Sequence, residues 1–182
     1  MKNRPYTESE NTILEVLKGR PIGSISLLIV SIDSFFNNEL SITAKNKQTR
    51  LLFIGIHAVA LTISEAIWGM SGPAGYEMFL ERFVDEEQQD RKFSQIAMQI
   101  HEWRNTLAHQ FLSSGGHNID YEYDMLEGYK LNQEYLIINP AIYLDSYIKA
   151  FKENKILNYV MKLDEGKQEE IKQRILGKYI NR

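Results

Sequence analysis

The sequence predicts a mainly α-helical bundle with one small β-hairpin near residues 119–139. Three observations lead there. Phe93, Ile96, Ala97, Ile100, Trp103, Leu107 and Phe111 recur with the helical period, so at about 100° per residue they share one face. The run LLFIGIHAVALTISEAIWGM (51–70) is apolar nearly throughout, as in a helix surrounded by others. Helix starts and stops punctuate the rest, and only the stretch after residue 118 turns rich in Tyr and Ile with partial alternation.

The elements follow in chain order. Thr7 and Glu10 form a capping-box pattern ahead of TILEVLKG, which predicts a first helix over 7–19, ended by Gly19 with Pro21 beyond. IGSISLLIVSIDSFFNNEL (22–40) reads as a second helix and residues 47–70 as a third. SGPAG (71–75) is a break, and YEMFLERFV (76–84) a short helix after it. Past the acidic turn DEEQQD (85–90), one helix runs through about 92–112 and ends at SSGG (113–116). NIDYEYDM and GYKLNQEYLIIN supply the hairpin, with a turn at 132–134. Asn139 as N-cap and Pro140 in the first helical position restart a helix, and the tail 155–182 holds two more.

At 182 residues the chain reads as a single domain over 1–182 that needs no staples. It has no cysteine, which excludes a disulfide framework, a thiolate zinc site and a thiol nucleophile. The polar N-terminus lacks an apolar signal core, so the expected location is cytoplasmic. His57, Ser64 and Glu65 interrupt the apolar run, which therefore reads as a core helix and not a membrane span. The net charge of −3 means that a polyanionic partner needs a local basic patch. TAKNKQTR (43–50) is one such patch with no acid in it, although helix starts often carry such lysines.

EWRNTLAHQF (102–111) carries the chemistry. In projection Arg104 falls inside the apolar stripe, His101 and Asn105 on its flank, and His109 four residues past Asn105 on the same side. A charge in an apolar stripe is costly unless it is paired or faces a partner. Arginine's planar fork suits a phosphate, and histidine exchanges protons near neutral pH. The plainer alternative pairs Arg104 with a buried acid such as Glu65 and leaves His109 as a solvated residue at the helix end.

RNTLAH on a long helix closed by a polar, Gly-containing loop resembles the signature of HEPN domains: an arginine, a polar residue, a short spacer and a histidine. Arg104, Asn105 and His109 match it position by position. The resemblance is firm over about 90–112 and looser over the preceding helices and INPAIYLDSYIKAF. It implies a HEPN-like helical core over about 22–153, flanked by the N-terminal helix 7–19 and a C-terminal helical extension 155–182. It also implies a homodimer formed through the 92–112 helix, and for many members metal-independent RNA cleavage in toxin–antitoxin, antiviral or RNA-processing systems. An antitoxin or a nucleotidyltransferase is then an expected partner. Other members are catalytically silent and bind proteins or nucleotides. The intact Arg104, Asn105 and His109 favour the active class; the lack of a marked basic surface speaks for the silent one.

RNA brings its own nucleophile, the 2′-hydroxyl, so the expected chemistry needs no cofactor and no metal. It needs a base, an acid and positive charge on the phosphorane. One imidazole cannot hold both protonation states in one step, whereas a two-fold dimer brings His109 from each copy to one cleft. Arg104 would then stabilise the phosphorane and Asn105 orient the ring or bond the phosphate. His101, His117 and Tyr121 are secondary candidates. Their plainer roles are a helix-surface histidine, a solvated loop histidine and a strand-packing aromatic. Tyr123 shares Tyr121's prospect of stacking on a base. His57 reads as a satisfied core histidine. No phosphate-cradling Gly loop, metal-ligand spacing or nucleophile elbow is present.

Overall fold

The computed structural model describes residues 19–86, 91–109, 119–132 and 135–180. It is mainly helical with a small three-stranded sheet, the predicted fold class. The predicted helix 7–19 lies outside the described residues, apart from Gly19.

Helix α1 spans Pro21–Phe35 with Pro21 at its start, where a missing N–H costs nothing. It runs on without a break through a π-helical turn, Phe36–Leu40, and a last α turn, Ser41–Lys45, five residues past the expected end. Helix α2, Thr49–Trp68, ends on left-handed Gly69, whose positive φ closes the helix at Glu65. α2 packs against α1's π-turn and against the helices that follow it, which explains its apolarity. Both α2 and the rod Pro21–Lys45 are long and apolar enough to cross a membrane. α2 has more than half of its apolar window buried in protein, whereas the rod has about a quarter buried and shows Val30 and Ile42 on its surface.

Helix α3 spans Gly72–Phe79 and continues as a π-turn, Leu80–Val84. The expected break at 71–75 is therefore shorter than its Gly and Pro suggest. Gly72 takes a positive φ, Pro73 occupies the first turn, and Gly75 is already inside the helix. Ser64 Oγ donates to Gly75 O at 2.7 Å, and a Cβ on Gly75 would lie 2.7 Å from that hydroxyl and from Met70 O. Glycine is what lets α3 lie this close to α2.

The motif helix begins with a 3₁₀ turn, Phe93–Ile96, and continues as α4, Ala97–His109, unbroken at Trp103 as predicted. Asp85, from the acidic turn, caps its start by accepting from Phe93 N (2.7 Å) and Ser94 N (3.2 Å). The predicted end at SSGG lies outside the described residues.

The sheet has order β1-β3-β2, with β1 Ile119–Tyr121, β2 Tyr129–Leu131 and β3 Leu136–Ile138. β2 and β3 form the expected antiparallel hairpin, closed by Asn132, whose N–H donates to Tyr135 O and whose Oδ1 accepts from Tyr135 N. β1 adds a third strand parallel to β3, which the sequence reading did not foresee.

Asn139 then caps helix α5, Pro140–Lys152, by accepting from Ala141 N and Ile142 N, with Pro140 first as predicted. Its amide also donates to Tyr123 O and Met125 O, tying the loop before the hairpin to the helix start. Helices α6, Lys155–Met161, and α7, Glu165–Ile175, follow, and α7 continues as a π-turn, Leu176–Ile180. α7 buries Ile171 and Ile175 against α1 and α2, and Arg174 donates to Ala66 O and Ile67 O at the end of α2. The charged tail therefore covers the bundle.

Aromatic rings fill the centre. Tyr76 of α3 and Tyr143 and Tyr147 of α5 are fully buried, and their three hydroxyls bond one another in a closed triangle. A hydroxyl both donates and accepts, so three can satisfy each other head to tail with no outside partner. Burial pushes the pKa of all three phenols up, and they stay protonated.

Candidate functional site

The Arg104 side chain is half-buried on α4. One guanidinium nitrogen donates to Asn105 Oδ1 at 3.1 Å, while Nε is buried with no partner. Among the described residues no carboxylate pairs with Arg104. Glu65, the acid considered for it, instead forms an ion pair with Lys178 of the tail. A guanidinium that keeps its charge and lacks an acid is poised for an external anion.

The other motif residues separate on inspection. Asn105 sits beside Arg104, and both are half-buried. His109 is the last residue of α4, four positions past Asn105, so its backbone lies one turn further along. His117 lies outside the described residues.

His101 is not a surface histidine. It is buried, and its Nδ1 lies 2.9 Å from Nε2 of fully buried His57. The projection placed His101 on the flank of the stripe, and α2 covers that flank. When two neutral imidazoles share one hydrogen bond, one donates and the other accepts. His57 Nδ1 has no partner. The less costly tautomer therefore has His57 Nε2–H donating to His101 Nδ1, leaving a bare lone pair in the core in place of an orphan donor. His57 is a core histidine as expected, but only one of its nitrogens is satisfied.

Burial, the nearby Arg104 charge and His101 together push the His57 imidazole down to about 3. Burial, then Arg104, lowers His101 as well, against the opposing pull of Glu102. Both shifts disfavour a second proton on either ring, and the pair holds α2 and α4 together at their crossing. His57 also lies against the Tyr76 ring, 4.3 Å between centroids, which joins this pair to the tyrosine triangle.

Tyr121 packs on Trp103, the neighbour of Arg104 in α4, with centroids 6.0 Å apart. Tyr123 bonds Thr49 Oγ1 at 2.8 Å, and Lys47 lies 5.3 Å from its ring centre. The structure thus gathers the basic stretch 43–50 and the two tyrosines, some seventy residues apart in the chain, beside the motif helix. The sequence showed both features but no signal that they meet. Among the described residues no three His, Asp or Glu side chains converge as a metal-ligand group.

Fold and site together define a mainly helical bundle with a half-buried arginine–asparagine pair on a helix that ends in histidine. Comparison with models of protein families, with curated proteins and with solved structures finds no match to this chain.

Proposed function

We propose that this chain is a metal-independent endoribonuclease of HEPN type, with a site shared between two copies, in a toxin or defence role. The observation that carries the reading is Arg104: a half-buried guanidinium with a buried, unsatisfied Nε, no acid partner among the described residues, and Asn105 alongside. In the proposed mechanism Arg104 binds the scissile phosphate and stabilises the negative charge that grows on the phosphorane oxygens. One His109 takes the proton of the ribose 2′-hydroxyl, and that oxygen attacks phosphorus. The other His109 gives its proton to the departing 5′-oxygen, leaving a 2′,3′-cyclic phosphate and a 5′-hydroxyl. Asn105 fixes the geometry of the ring or the phosphate.

The test is induction of wild type and His109→Ala in a bacterial host, followed by RNA integrity and cleavage by the purified proteins. RNA cut by the wild type alone, with cyclic phosphate ends, supports the reading. Intact RNA and unaffected growth with both proteins reject it, in favour of a catalytically silent binding module.

A further inference from the structure

A cleft beside the motif helix combines two chemistries that otherwise stand apart in the fold. It is lined by Lys47, Gln48, Thr49, Arg50, Leu51 and Tyr121. Lys47 is exposed and Arg50 half-buried, and both carry positive charge at the junction between α1's last turn and α2. Leu51 is 46% exposed, an apolar side chain left open next to the half-buried ring of Tyr121. Asp120 and Glu122 alternate with Tyr121 along β1 and are exposed where its ring is half-buried. The far side of Tyr121 rests on Trp103, one residue from Arg104.

We infer that this cleft binds single-stranded RNA and leads the strand to Arg104. Cations that meet phosphates, set against an aromatic ring and an apolar side chain that meet a base face, match a strand whose bases are unpaired. A duplex would present its phosphates but hide the base faces. The choice of RNA rests on the ribonuclease reading; the cleft's fit to an unpaired strand rests on its lining.

The experiment uses the full chain carrying His109→Ala, so that the strand survives, and a fluorescein-labelled twelve-nucleotide oligouridine. Binding is followed by anisotropy across a salt series. Lys47 has φ 54°, so Lys47→Asn removes the charge while suiting the left-handed backbone. Lys47→Asn with Arg50→Gln should weaken binding at least about tenfold and flatten the slope of log affinity against log salt by about 1.4. Tyr121→Leu should cost about tenfold and Tyr121→Phe little. Thermal melting of each variant checks that the fold is kept. Failure to bind the strand, binding unchanged by the paired charge removal, or duplex bound as tightly as single strand overturns the inference. The two readings separate cleanly. Cleavage by the wild type with binding indifferent to Lys47 and Arg50 removes this cleft and leaves the ribonuclease. Binding through the cleft without cleavage by the wild type keeps the cleft and removes the ribonuclease.

Discussion

Acid should weaken this fold through one imidazole before its carboxylates titrate. His57 has its ordinary value of 6.5 in the unfolded chain and about 3 in the fold, where burial and the Arg104 charge oppose protonation. Between those values the unfolded state binds the extra proton, so stability falls as pH drops and is retained above 6.5. From pH 7 to pH 5 the loss from this one group works out at about 2 kcal/mol, a substantial part of a typical domain's stability. His101 is lowered too and adds to the loss with the same sign. The measurement is urea unfolding of wild type and His57→Phe at both pH values. Other titrating groups are common to both proteins, so the difference between them isolates His57. The variant should gain about 2 kcal/mol on the wild type between pH 7 and pH 5. A difference that stays constant across the interval refutes the argument, since His57 would then titrate alike in folded and unfolded chains.

Asn139→Ala removes the cap of α5 and the donor to two loop carbonyls, and should cost about 2–3 kcal/mol by chemical denaturation. Gly75→Ala forces a methyl group against Met70 O and Ser64 Oγ, and should cost about 1–3 kcal/mol by the same assay. Under the ribonuclease proposal, cleavage should survive excess EDTA; complete loss restored by Mg²⁺ would reject the acid–base scheme. If both His109 side chains serve one cleft, activity of randomly mixed wild type and His109→Ala should fall as the square of the wild-type fraction, and a linear fall would reject sharing.

Local structure is legible in the sequence where one residue acts on its own neighbours. Asn139 and Pro140 start α5 because capping and a fixed φ are properties of adjacent residues. The motif helix was legible because its apolar period persists for five turns. What depended on a distant partner was not. The projection gave the angle of His101 on α4 but not that His57 of α2 occupies that angle. Glu65 was a reasonable acid for Arg104 until Lys178 of the tail took it. NIDYEYDM announces β1 as extended chain, but its parallel pairing with β3 spans an intervening strand, which no local pattern specifies. Gly72, Pro73 and Gly75 are breakers by habit, yet here they open a helix: Gly72 supplies a positive φ, Pro73 fits the first turn, and Gly75 leaves room for the close approach to α2.

The closed triangle of tyrosine hydroxyls works as a combination lock between α3 and α5. Dispersion and apolar burial tolerate many arrangements of rings of similar size. The three hydroxyls tolerate one, because each must find the other two, the only partners they have among the described residues. If α5 turned by one residue against α3, Leu144 and Ile148 would occupy the places of Tyr143 and Tyr147, and the Tyr76 hydroxyl would lose both partners. Each buried hydroxyl without a partner costs about 1–3 kcal/mol. A collapsed chain with its helices formed but mis-seated is thus penalised by an amount comparable to the whole stability of a small domain. The ring contributes little to how strongly the native bundle holds together and much to how few rivals it has.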